Sequence, residues 1–196
     1  QRLLLARDRA GIKPLYFAIA GSTLVFGSEL KAVLASGYVG RALDFQVLAH
    51  YLSLEYVPAP SSILQSVKRL ESGCTLVAST SGIQTSRYWD LDLSQSENNP
   101  VQGSIAEHAG TFYEVLRSAV RREMVSDVPV GVLLSGGLDS SAVALLMSEV
   151  SNHQVPSFSV SFSESSYDES RYARQVADHV GTKHYELPMR PDDLVN

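Results

Sequence analysis

The 196-residue sequence has one cysteine, Cys74. A lone thiol can form no intrachain disulfide and cannot build a cysteine-rich zinc site, so packing must hold the fold together, and a reducing, cytoplasmic setting fits. Basic residues are also scarce: 16 Lys and Arg stand against 21 Asp and Glu, a formal charge of −5. That balance argues against a nucleic-acid partner, because phosphate-backbone binding is carried by basic patches, whereas a nucleotide site needs only a local arrangement. No apolar run approaches membrane-spanning length and no secretory signal pattern opens the chain, so no membrane partner is expected. An initiator methionine is missing too. Gln1 precedes a strand-like run from Arg2 to Asp8, and Leu194, Val195 and Asn196 stop where a helix pattern starts, so the chain reads as an internal fragment.

What is present divides in two. With 44% hydrophobic residues there is ample material for a core. The first part is β-rich: Leu3 to Ala6, Pro14 to Ile19 and Leu24 to Ser28 read as a meander with glycine turns. Glu29 to Ala35 reads as a short helix, and Asp44 can cap a second one carrying Val47, Leu48, Tyr51 and Leu52. Pro58 to Ser62 is extended linker, and two more strands, Cys74 to Ser79 and Ile83 to Tyr88, flank Gly82. Within this part the Arg7-Asp8 run reads as a turn with internal ion pairs, Glu29 and Lys31 as surface or structural charges, Trp89 as a packing anchor, and Cys74 as an inert core residue. A polar, aperiodic stretch at 93–103 is the expected linker.

From there strands and helices alternate. Ser104 and Glu107 have capping-box spacing, and Ile105, Ala109, Phe112, Leu116, Ala119 and Val120 form the apolar face of a long helix. Val130, Val132, Leu133 and Leu134 read as a buried strand. Ser135-Gly136-Gly137 turns the chain, and a helix with Val143, Leu146, Met147 and Val150 follows from Asp139. Val155 to Phe162 is a second strand, Asp168 to Gly181 a third helix closed by glycine, and 183–187 a last strand. The alternation predicts parallel βαβ units.

The strand–glycine turn–helix junction at 130–141 suits a phosphate or pyrophosphate, because free amides at a helix start and the macrodipole favour anions. No lysine follows the glycines, so the junction is not a Walker loop, and Gly-x-Gly-x-x-Gly is absent. Asp139 would repel a bound phosphate unless a divalent cation bridged them, and Mg²⁺ is the expected ion.

Ser135-Gly136-Gly137-Leu138-Asp139-Ser140 resembles the pyrophosphate loop of the ATP pyrophosphatase superfamily. The loop alone leaves guanylate synthesis, NAD synthesis and tRNA thiolation open. The flanks narrow the choice: Met124 to Leu134, Ala6 to Tyr16, Phe26 to Ala32, Tyr56 to Pro60, Arg87-Tyr88-Trp89, Asp168-Glu169-Ser170 and Ala177 to Thr182 are similar to the asparagine synthetase family, glutamine-hydrolysing type. The resemblance implies an α/β chain. In it, the C-terminal part of an α+β N-terminal-nucleophile-type glutaminase domain (1–92) precedes the start of a parallel-sheet, adenine-nucleotide α-hydrolase-like (Rossmann-like) domain (104–196). It further implies ATP and Mg²⁺ as cofactors, aspartate and glutamine as substrates, a cytoplasmic enzyme, and a homodimer as an open option.

By the same resemblance, Ser135, Gly136, Gly137, Leu138, Asp139, Ser140 and Ser141 hold the β and γ phosphates of ATP, Asp139 the metal, and Leu133 and Val160 contact the nucleotide at strand ends. The family's glutaminase nucleophile is an N-terminal cysteine, and none opens this chain, so no catalytic residue is assigned. The expected reaction makes asparagine through β-aspartyl-AMP. Relatives with another carboxylate acceptor, including β-lactam precursors, and a non-catalytic ATP-binding module remain the alternatives.

Overall fold

The computed structural model describes residues 2–94, 102–162, 164 and 168–190. The chain folds as two compact units, Gln1–Pro100 and Val101–Asn196. Most of the stretch expected as a linker lies outside the described residues.

The first unit holds β1 (Arg2–Ala6), β2 (Tyr16–Ala20), β3 (Thr23–Gly27), α1 (Leu30–Ala35), α2 (Phe45–Leu54), β4 (Lys68–Arg69), β5 (Cys74–Ser79) and β6 (Gly82–Arg87). They form two antiparallel three-stranded sheets, β1-β5-β6 and β3-β2-β4. Leu5 and Phe17, from different sheets, share a core with Leu70, Cys74 and Leu76. The next residue of β2, Ala18, points the other way, into a cluster with Val33 of α1, Leu64 and Val67. The middle of strand β2 is therefore covered on both faces, which is why Phe17 and Ala18 are both apolar, whereas Ile19 further along is 58% exposed. Asp44 caps α2 as its sequence suggests, accepting from the Gln46 and Val47 N–H groups. Cys74 is buried, and Glu29 and Lys31 pair with each other on the surface.

The turn after β1 differs from its expected form. Among the described residues Arg7 pairs with no carboxylate; its guanidinium donates to the carbonyls of Lys13 at 3.1 Å, Leu70 at 2.6 Å and Gly11 at 2.8 Å. Asp8 instead accepts from the Ile12 and Lys13 amides at 2.8 and 3.1 Å. Both charged groups are spent on backbone groups, those of the turn and, for Arg7, also the distant Leu70 carbonyl, where a mutual ion pair would have left those groups unpaired. Trp89 is not a buried anchor either. The residue is 36% exposed, and its backbone N–H donates to the Gly73 carbonyl.

The second unit contains α3 (Ile105–Glu123), β7 (Val132–Leu133), α4 (Leu138–Val150), β8 (Pro156–Phe162), α5 (Ser170–Val180) and β9 (Lys183–Met189). The strands lie in the order β7-β8-β9, and both pairings are parallel. Val132 and Leu134 pack with Leu146 and Met147 of α4 and Ala173 and Ala177 of α5 in one core. Along β8 the residues alternate: Ser157 and Ser159 are buried, whereas Phe158, Val160 and Phe162 are exposed on the opposite face. The helix-facing side of β8 is thus its polar side, and its large apolar side chains face away.

Helix α3 starts with the expected capping box between Ser104 and Glu107. Its apolar face is used only in part. Leu116, Val120 and Met124 join the core, but Ile105 is 88% and Phe112 66% exposed, because only the C-terminal half lies along α4. Arg117 and Tyr113 both reach Glu149 of α4. No helix among the described residues is long and apolar enough to cross a membrane.

Candidate functional site

The site begins where β7 ends. Gly136 has φ +82, and a Cβ there would lie 2.5 Å from the carbonyl carbon and Cβ of Tyr172 and 2.7 Å from the Ala173 nitrogen. Glycine is required twice over, by backbone conformation and by the close approach of the first turn of α5. Gly137 is the N-cap of α4 and supplies no side-chain cap. The first-turn amides of Leu138, Asp139 and Ser140 therefore have neither an intrahelical acceptor nor a capping side chain, the arrangement that accepts an oxyanion.

Hydroxyls hold the loop in shape. Ser135 Oγ lies 3.0 Å from Ser140 Oγ and accepts from the Gly137 N–H at 3.3 Å. The Ser135 N–H donates to Ser140 Oγ at 3.3 Å, and Ser141 Oγ donates to the Gly137 carbonyl at 2.6 Å. Hydroxyl protons rotate, so these groups can re-aim at an incoming phosphate without moving the backbone. Asp139 sits in the first helical turn, where the macrodipole favours a carboxylate. Among the described residues no group of three or more His, Cys, Asp or Glu side chains could hold a metal. Asp139 is a single carboxylate, and Mg²⁺ is an ion that one carboxylate could hold together with waters and substrate phosphates.

Beside the loop, on the open face of the sheet, lies a cleft of about 680 Å³ lined by Leu133, Ser135, Val160, Phe158, Glu169 and Tyr185 among others. Leu133 is 80% exposed there while its neighbour Leu134 is 2% exposed, so the strand end presents alternate residues to the cleft and to the core. Phe158 and Tyr185 stack across β8 and β9 with ring centroids 5.3 Å apart. Such walls suit a flat, partly apolar group.

The fold thus gathers Leu133, Ser135 and Val160 into one cleft. Leu138 and Ser141 instead line a second groove, between α4 and α5, so Leu138 offers the cradle its amide and not its side chain. Sequence reasoning overlooked Phe158, Phe162, Tyr185 and Glu169. The signal was present in β8, whose Ser-Phe-Ser-Val-Ser-Phe alternation marks a second apolar face. The backing of Gly136 by Tyr172 had no sequence signal at all.

The chain thus has two parts, the second of which carries a glycine-rich turn and an uncapped helix start at the carboxyl end of a parallel sheet. Residues 1–89 match the glutamine amidotransferase domain model, and residues 111–196 match the asparagine synthase model. Asparagine synthetase 3 (glutamine-hydrolysing) of Bacillus subtilis is 29% identical over 99% of this chain and 33% of its own length. Asparagine synthetase 1 of the same organism is 30% identical over 97% of this chain and 29% of its own length. A Gibberella zeae protein named amidase chry2 is 31% identical over 100% of this chain and 31% of its own length. The chain belongs to the asparagine synthetase family, and it spans about a third of the length of these relatives.

Proposed function

We propose that the protein to which this chain belongs makes asparagine from aspartate, ATP and ammonia released from glutamine. The observation that carries the reading is the uncapped, hydroxyl-bound turn at Ser135–Ser141 beside an aromatic-walled cleft, in a chain whose first part matches a glutamine amidotransferase domain. The first-turn amides of α4 and the Ser135, Ser140 and Ser141 hydroxyls bind the β and γ phosphates, while Leu133 and Val160 contact the nucleoside. The aspartate side-chain carboxylate attacks the α-phosphorus, the bond to the β-phosphate oxygen breaks, and pyrophosphate leaves into the cradle. Ammonia then displaces AMP from β-aspartyl-AMP. Mg²⁺, held by Asp139, would neutralise charge on the leaving pyrophosphate.

A second reading keeps the loop and changes the acceptor acid; the full-chain match to a protein named as an amidase favours it. A third treats the loop as an ATP sensor without chemistry. Exchange of labelled pyrophosphate into ATP by the full-length protein separates all three: it requires aspartate in the first, another carboxylic acid in the second, and is absent despite ATP binding in the third. Asp139→Asn should abolish exchange and leave glutamine hydrolysis intact; exchange at the normal rate would remove Asp139 from the mechanism.

A further inference from the structure

The phosphate cradle is shaped from behind by α5, because the Tyr172–Ala173 backbone stands where a side chain on Gly136 would be. Whatever fixes α5 along its axis therefore fixes the loop. The fully buried part of this helix's apolar seat is Ala173 and Ala177, 0% and 1% exposed, with the partly buried Val176 beside them. Two alanines let the helix approach closely, and a single valine leaves little relief to stop it sliding or turning.

At its start the helix is tied to β8 by Asp168, which accepts from the Ser170 and Phe162 N–H groups at 3.2 and 3.4 Å, and further along a second directional contact lies at Arg174. Arg174 donates from Nε to Glu186 Oε1 at 2.8 Å and from Nη2 to Glu186 Oε2 at 2.5 Å, a two-pronged fork between α5 and β9. The fork raises the Arg174 pKa through its hydrogen bonds to Glu186. The strand end of the fork is braced. Glu186 Oε1 is 3.7 Å from His184 Nε2, and the His184 ring is held by Ser157 Oγ at Nδ1, 2.9 Å, and by Ser159 Oγ at Nε2, 3.2 Å. Ser157 in turn meets Thr182 Oγ1 at 2.7 Å. These groups are on the polar side of the sheet that faces the helices, and Ser159 and Glu186 also border the cleft beside the loop, whereas Arg174 does not. Bidentate pairs supply geometric specificity, whereas a pair with one partner 57% exposed adds little to global stability.

We propose that Arg174 and Glu186 form a positioning pair for the phosphate cradle: they lock α5 to the His184-braced strand β9, and so set the surface against which Gly136 is seated. The proposal rests on the cradle being the ATP site. Loosening the lock lets the loop amides drift from the phosphates and weakens ATP binding without unfolding the unit. In the full-length protein, Arg174→Gln, at a residue outside the cleft lining, should raise the KM for ATP in aspartate-dependent pyrophosphate exchange roughly fivefold with kcat little changed, about 1 kcal/mol of binding, and Glu186→Gln should do at least as much. The double variant should be no worse than Glu186→Gln alone, because both remove one shared contact. Glutamine hydrolysis and the melting temperature should not move. An unchanged KM in Arg174→Gln, whatever Glu186→Gln does, or effects that multiply in the double, would overturn the pair's role. Gly136→Ala, assayed alongside, separates the two ideas. If it destroys exchange while Arg174→Gln does nothing, only the positioning pair falls; if it leaves exchange normal, the ATP reading falls and the pair with it.

Discussion

Two adjacent glycines in the cradle are chemically alike and structurally different. A Cβ on Gly137 would meet only the Ser135 hydroxyl, at 3.3 Å, and that group can rotate away. A Cβ on Gly136 would enter the backbone of Tyr172, and φ +82 adds about 1–2 kcal/mol of strain for any L side chain. Gly137→Ala should therefore retain ATP-dependent exchange within roughly threefold, a cost of order 0.7 kcal/mol, while Gly136→Ala should lose it. Parallel kinetics on the two full-length variants check this. The sequence makes both residues visible as a turn, but it cannot rank them, since the contact that decides the matter comes from the next helix but one along the chain.

At the scale of elements, local chemistry shows in the sequence and tertiary choice does not. The capping box at Ser104, the Asp44 cap and the Gly181 terminus appear where side-chain chemistry requires them. The use of α3 does not, because its full-length apolar stripe reveals nothing of how far its neighbour extends. The β1–β2 turn is a further case: the charges are legible, but their partners are carbonyls and amides that the fold brings in. That turn makes a pH prediction. Hydrogen bonds from the Ile12 and Lys13 amides hold the Asp8 carboxyl below its ordinary value of 3.8. The stability it contributes is complete above that value and is lost as pH falls through the lower folded-state value. Asp8→Asn should therefore lower the melting temperature near neutral pH and flatten its decline below about pH 4, with the two curves converging in strong acid. A melting series against pH on both proteins tests this; parallel curves at all pH would exclude the carboxylate as the cause.

Over the whole chain, the two units close by different routes. In the second, β8 pairs with β7 across one intervening helix, and with β9 across one more. In the first, β1 waits for β5, residues 74–79, and β2 is completed on its second edge only by Lys68 and Arg69. The carbonyls that Arg7 grips follow the same division: Gly11 and Lys13 are near in sequence, and Leu70 is 63 residues away. A chain made from its N-terminus forward thus carries a cation whose last acceptor does not yet exist. Until residue 70 has been synthesised and is free of the ribosome, the guanidinium can be only partly satisfied and the sheets only partly paired. Nascent chains stalled with Ser66 as the last exposed residue should be cut readily by protease in this region, and those exposing Arg87 should resist. The arginine that ties the finished turn together should thus gain its last partner in the growing chain only when a single leucine carbonyl arrives.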